Sequence, residues 1–342
     1  MKNRKLLLLF SGLVIIFLVL FLIFRDVAGI KAETNGRDRE LFIPTGSSYE
    51  NAFILIDSAA GIKKPEIFQW LAKKKKYTEH VRAGRYIIED GMTYTQIIDM
   101  LRTGRQKPVN VTFNNIRNLN QLAGKVSQKI EADSTGIINF LNDESNYSAD
   151  GFSRETVIAV FIPNTYQFFW NTSPEDFYQR MLKEYRSFWT PEKIAKAKEK
   201  NLDPVQVATL ASIVDDEVAK ATEKPRIAGV YLNRLRIGMP LQSCPTIRFA
   251  LNDYTITRVL KKHLLVESPY NTYKYRGLPP GPVGCPSIEG IEAVLNAEHH
   301  DYLYFAAKAD FSGSHNFSRN LSEHNRYAAQ YQQELNRRRI FK

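Results

Sequence analysis

The N-terminal run Leu6–Phe24 (LLLLFSGLVIIFLVLFLIF) constrains this chain more than any other feature. Roughly 19 residues without a charge are long enough to cross the hydrocarbon core of a bilayer as a helix. Lys2, Arg4 and Lys5 precede the run, which places the N-terminus in the cytoplasm. A cleaved signal peptide would have a shorter apolar core followed by a small-x-small site. The residues from Phe24 to Ile30 (FRDVAGI) offer no such site, so the expectation is an uncleaved single-pass anchor. Residues 1–5 would then be cytoplasmic, 6–24 would span, 25–39 would be a polar linker, and the rest would lie on the outer side. The net charge of +11 calls for an anionic partner. This topology argues against nucleic acid and leaves acidic phospholipid or a carboxylate-rich polymer.

From Leu41 onward the pattern tightens into a compact α+β module. Leu41–Pro44 reads as a strand, Ser48 caps a helix carrying Ala52, Phe53, Leu55 and Ile56, and Lys64-Pro65-Glu66 opens a second helix carrying Ile67, Trp70 and Leu71. Arg85–Ile88 returns as a strand. Thr93 and Gln96 have capping-box spacing before Ile97, Ile98 and Leu101. Lys73–Lys76 sits where a helix end favours cations. Val109–Phe113 alternates like a strand, and beyond it a larger mixed α/β domain is expected. Its helices are expected near Leu119–Ile130, Ser173–Trp189 and Thr190–Lys200.

Asp203-Pro204 combines a capping acceptor with a ring tolerated at the first helical position, so a helix starts there. At about 100° per residue, Leu210, Ile213 and Val214 share a face with Glu217. Asp215 falls nearly opposite, and Asp216 lies to the side. One of three adjacent acids therefore extends an apolar stripe, where desolvation raises a carboxyl pKa as a general acid requires. On this pattern alone, the leading reading of Glu217 is a helix-end carboxylate that pairs with Lys or Arg. A further helix starts at Glu223-Lys224-Pro225 and carries Ile227, Val230, Tyr231 and Leu235 to Gly238. Leu241–Thr246 reads as a polar, kinked segment. Pro269–Tyr273 and Gly277–Gly281 read as rigid loops whose Tyr and Asn side chains suit sugars and plain turns alike. Cys244 and Cys285 are the only cysteines, and no Cys/His spacing reads as a zinc site. His299 and His300 read as surface residues.

LASIVDDE, AGVYLNRLRIGMPLQSCPT, PYNTYKYRGLPPGP, DYLYF and GSHNFSRNLSEHN, in that order, strongly resemble the endolytic murein transglycosylases, the YceG-like (MltG-type) family. AGRYIIEDGMT and FIPNTY upstream are also similar to that family. The resemblance implies a LysM-like module at 40–113 and a catalytic domain at 114–342, with Glu217 as the catalytic glutamate. The chain departs from the family pattern with Asp215 in place of the first acid of a V-E-x-E run, Cys244 where Asp often precedes Pro-Thr, and Asn164 where Asp often follows the proline of F-x-P-x-T-Y.

The implied reaction needs one carboxyl group and neither metal nor cofactor. The acid protonates the leaving oxygen, and the substrate's own C6 hydroxyl attacks, which leaves a 1,6-anhydro-muramic end. The tethered nucleophile gains the proximity advantage. Ordinary glycosidases instead place two carboxylates across the bond. Gln242, Thr246, Asn271 and Tyr273 are the candidates for holding sugars. Asn233 and Arg234 are candidates for bracing the helices. The implied partners are peptidoglycan glycan strands, the inner membrane that carries the anchor, and a glycan-polymerising synthase. A hydrolytic muramidase and a noncatalytic wall-binding protein are the rival classes. The resemblance also brings Cys244 and Cys285 to one groove, where an oxidising compartment permits a disulfide. Two separate thiols are the alternative.

Overall fold

The computed structural model describes residues 29–256 and 258–338, together with Ile15. The expected stub at 1–5 and the span at 6–24, Ile15 apart, lie outside the described residues. Among the described residues no helix is long and apolar enough to cross a membrane. The described residues form an α+β fold, with three two-stranded sheets among many short helices. It divides into two compact units. The first runs to Asn110 and takes in two short returns, Lys129–Glu131 and Gln167–Ser173; the second holds Val111–Gln128, Ala132–Tyr166 and the chain from Pro174 onward.

In the first unit β1 (Arg39–Ile43) pairs antiparallel with β2 (Gly84–Ile88), with Leu41 opposite Tyr86. Alternation places Leu41, Ile43, Tyr86 and Ile88 in the core. Between the strands run α1 (Tyr49–Ala60) and α2 (Pro65–Lys74), and α3 (Tyr94–Thr103) follows. The caps form as the sequence implies. Ser48 accepts from the Asn51 amide, and Thr93 and Gln96 complete a reciprocal capping box. The buried face of α2 differs from the expected one: it is Phe68, Leu71 and Ala72, while Trp70 is 47% exposed. The i, i+3, i+4 spacing of those three residues defines the inward stripe, and Trp70 falls off it.

β3 (Val109–Phe113) pairs with β4 (Asn164–Phe168), and within the second unit the Thr112 and Thr165 hydroxyls lie 2.8 Å apart across the pair. Four helices of the second unit come in chain order: α4 (Leu119–Val126) and α5 (Ser134–Asn142) between the two strands, then α6 (Pro174–Phe188) and α7 (Pro191–Glu199) after them. Helix α4 stops at Val126, short of the expected Ile130, because the chain at Lys129–Glu131 leaves to join the first unit.

The centre of this unit is α8 (Pro204–Glu217), in which every residue from Val207 to Val214 is buried. A helix buried all round, not an amphipathic one, is the observed form. It packs against α9 (Lys224–Arg236), α10 (Cys244–Ala250) and α11 (Ile288–Leu295). An antiparallel pair, β5 (Tyr304–Ala307) and β6 (His315–Ser318), carries α12 (Leu321–Arg337).

The corrected face of α2 predicts a contrast in denaturant unfolding. Phe68→Ala should destabilise by roughly 3–5 kcal/mol, and Trp70→Ala by less than about 1 kcal/mol. Equal losses would place Trp70 in the core.

Candidate functional site

The site is built on the C-terminal end of α8. Its start is fixed by a capping box: the Asp203 carboxylate accepts from the Gln206 amide at 2.8 Å, and the Gln206 side chain accepts from the Asp203 amide at 2.9 Å. Its end is Glu217, after which Val218 turns into extended backbone (φ −140°, ψ 128°). Three acids, Asp215, Asp216 and Glu217, therefore leave the last turn in three directions, and the structure gives each a different fate.

Asp215 is fully engaged. Its carboxylate accepts from the Ser287 amide at 2.6 Å and the Ser287 hydroxyl at 2.9 Å, and it pairs with Lys224 Nζ at 2.9 Å. These bonds tie α8 to the N-cap of α11 and the first turn of α9. Gly290 makes room for them, since a Cβ there would lie 2.5 Å from the carboxylate. Asp216 pairs with Arg248 at 2.9 Å. Among the described residues Glu217 has no ion pair, and its Oε2 is buried without a hydrogen-bond partner. Burial pushes its pKa from 4.5 to about 7, helped by the Asp216 charge and opposed by Arg248, Arg234 and the Ser243 hydroxyl. The negative end of the α8 dipole also disfavours the carboxylate.

The surroundings of Glu217 come from α9, α10 and the 271–273 loop. Arg234 is buried; its Nε donates to the Leu303 carbonyl at 2.7 Å, its Nη1 donates to the Leu241 carbonyl, and its guanidinium lies over the Tyr304 ring. Among the described residues no carboxylate pairs with it, so Glu217 is the acid it acts on from a distance. Asn233 donates to the His300 and Tyr302 carbonyls at 2.7 and 3.1 Å and so ties α9 to the segment before β5.

Tyr273 Oη and Cys244 Sγ lie 3.5 Å apart, and burial raises the pKa of both groups, with the Glu217 charge adding to the rise. Gln242 is exposed and takes left-handed backbone (φ 52°), held there by its amide donating to Thr272 O at 3.0 Å.

Two expected sugar-binding residues are turned inward instead. Thr246 is fully buried, with its hydroxyl donating to Ser243 O at 2.8 Å and lying 2.9 Å from the Thr272 hydroxyl. Asn271 is also fully buried; it donates to Leu264 O and Val266 O and accepts from the Tyr273 amide. Both brace the loops and present no free polar atom to a ligand. The segment expected to be kinked continues as α10, because Pro245 at the second position is compatible with a helix start. Reading it as a loop hid Arg248, which the helix carries to Asp216; Ser243 was likewise missed.

Cys244 and Cys285 are free thiols. Cys285 is buried, with its thiol facing Ile158 O at 3.8 Å while Cys244 faces Tyr273, so no bond joins them. His299 is exposed as expected, and His300 is half-buried with both ring nitrogens engaged. It accepts at Nδ1 from the Tyr302 amide, so Nε2 carries the proton it donates to Arg226 O at 2.9 Å. Among the described residues no cluster of side chains fits a metal ion. A cavity of about 810 Å³ lies along the N-terminal half of α8, lined by Val205, Gln206 and Thr209 and by Leu278–Pro280, and does not reach Glu217.

The model of the YceG-like family matches residues 41–330. This chain belongs to the YceG-like family. It is 32% identical over 305 residues to the endolytic murein transglycosylase of Bacillus subtilis, an alignment covering 84% of this chain and 83% of the relative. It is 30% identical over 319 residues to the endolytic murein transglycosylase of Streptococcus pneumoniae strain D39, covering 84% of this chain and 57% of that longer relative. A crystal structure of a YceG-like protein from Listeria monocytogenes superposes with a TM-score of 0.56 at 27% identity, covering 85% of this chain and 98% of that one.

The buried carboxyl makes stability depend on pH. Folded Glu217 holds its proton to about pH 7, whereas the unfolded group releases it near 4.5. The folded state binds more protons between these values, so the Glu217 contribution falls as pH rises through that window. Glu217→Gln should therefore raise stability at pH 8 by roughly 1–3 kcal/mol, and the gain should vanish below about pH 5. Melting the two proteins across pH checks this; a difference independent of pH would show that the carboxyl is solvated.

Proposed function

We propose that this chain is an endolytic lytic transglycosylase of the cell wall. It cleaves the MurNAc–GlcNAc bond within nascent glycan strands, leaves 1,6-anhydro-MurNAc ends, and so limits strand elongation. One observation carries the mechanism: of three adjacent acids, Glu217 alone has no ion pair among the described residues and holds a buried oxygen without a partner, while Asp215 and Asp216 are committed to Lys224 and Arg248. With a pKa pushed to about 7, Glu217 is protonated often enough at neutral pH to act as an acid and is ready to act next as a base.

Glu217 gives its proton to the glycosidic oxygen as the bond from the muramic C1 breaks. The C6 hydroxyl of the same sugar then attacks C1 and returns its proton to Glu217. No water is consumed, so the enzyme needs no second carboxylate to hold one. Arg234, buried without an ion pair, favours the carboxylate in the second half of the cycle. Gln242 and Tyr273 are the groups left to meet the sugars.

The name shared by the B. subtilis and S. pneumoniae relatives supports this substrate and bond. The strand–helix–helix–strand order of the first unit supports reading it as a LysM-like aid to wall binding. The apolar run at 6–24 supports an anchor in the inner membrane, with the catalytic part on its outer side beside a glycan-polymerising synthase.

Mass spectrometry of purified, uncross-linked glycan after digestion tests the reaction. Products lighter by one water than ordinary reducing ends are expected, and reducing muramic ends would make the enzyme a hydrolytic muramidase. Glu217→Gln should abolish both kinds of product. Asp215→Asn should lower stability yet leave turnover by the folded protein; equal loss of turnover in the two variants would overturn the single-carboxylate mechanism.

A further inference from the structure

Ser243 occupies the N-cap position of α10, with extended backbone (φ −93°, ψ 127°). A serine there ordinarily accepts a hydrogen bond from an amide of the first turn. This one makes no such bond. Pro245 removes one amide that could have served. The residue is 1% exposed, and its hydroxyl has no hydrogen-bond partner. Buried polar groups of this kind call for an explanation.

The backbone of Ser243 leaves little freedom. Its amide donates to the Thr272 hydroxyl at 3.0 Å, and its carbonyl accepts from the Thr246 hydroxyl at 2.8 Å. Flanking it, Gln242 is held by Thr272 O. The inward-turned Thr246 and the 271–273 loop thus fix the backbone of Ser243 and leave its side chain unbonded. The Ser243 hydroxyl lies near the Glu217 carboxyl and the Tyr231 phenol and lowers the pKa of each, without a hydrogen bond of regular geometry. Two buried oxygens without a hydrogen-bond partner, Ser243 Oγ and Glu217 Oε2, therefore belong to neighbouring side chains at this end of α8.

We propose that Ser243 is a positioning residue for Glu217, its hydroxyl donating to the carboxylate when Glu217 acts as base and turning away when it acts as acid. A hydroxyl suits both states because it can donate or accept by rotating about one bond. It therefore follows the proton without movement of the backbone. The other charged or titratable groups around Glu217 are Asp216 on α8, Arg234 and Tyr231 on α9, Arg248 and Cys244 on α10, and Tyr273 on its loop. Arg248 is held by Asp216, and Arg234 by backbone carbonyls.

This inference rests on Glu217 being the acid/base, and its test separates the two. A donor to the carboxylate lowers the Glu217 pKa, so Ser243→Ala should raise it. The protonated form starts the reaction; the alkaline limb of kcat/KM on uncross-linked glycan should therefore move up by about half a pH unit or more. The rate constant kcat should fall at least about tenfold, because the base half-reaction loses its donor. The melting temperature of the full-length chain should not change, since no cap bond is lost. If Ser243→Ala does not fold, Ser243→Cys keeps the shape with a weak donor and should show the same displacement of the limb. An unmoved limb in a folded variant, whether or not the rate falls, would overturn the role of Ser243. Full activity in Glu217→Gln would instead overturn the assignment of Glu217 and leave any shift caused by Ser243 as a fact about a bystander.

Discussion

A carboxyl group taken out of water without a partner is among the least favourable things a fold can contain. Here Glu217 is held in that state by the continuous burial of α8 from Val207 to Val214, which fixes where the last turn points. The helix cannot rotate to relieve it, because Asp215, on the far side of the same turn, is locked to Ser287 and Lys224. The neighbouring acid thus serves the site by immobilising the helix. An aspartate at 215 is long enough for this because α11 approaches closely at Gly290.

Around the carboxyl the charges are graded. Arg248 is neutralised locally by Asp216, while Arg234, among the described residues, meets carbonyls and an aromatic face and no carboxylate partner. A guanidinium whose charge is not cancelled nearby stabilises a carboxylate that forms transiently, yet burial keeps the resting pKa high. Desolvation and two arginines pull in opposite directions, and the balance falls near neutrality. That balance lets one residue give a proton and then take one back.

Much of this was legible in the sequence where the information is local. Ser48, Thr93 and Asp203 cap their helices because a short side chain and a nearby amide settle the matter within one turn. The divergence of Asp215 from Glu217 follows from helical geometry alone. What the sequence hid depends on distant partners. Thr246 and Asn271 have the chemistry of sugar ligands, but a carbonyl or hydroxyl on a facing loop claims each of them. Trp70 looked like core until the stripe through Phe68 and Leu71 excluded it, and His300 looked like surface until Arg226 O and the Tyr302 amide engaged both its nitrogens. Arg248 escaped notice because a prolyl segment that reads as a kink is the start of a helix.

The account depends on one quantity, the proton affinity of Glu217 in the folded, unliganded protein. Isotope-edited infrared titration of its carboxyl, with Glu217→Gln as the subtraction, measures it directly. The structure predicts a midpoint raised to about 7. A midpoint near the ordinary 4.5 would mean a solvated helix end, and would contradict the buried acid/base on which the mechanism is built.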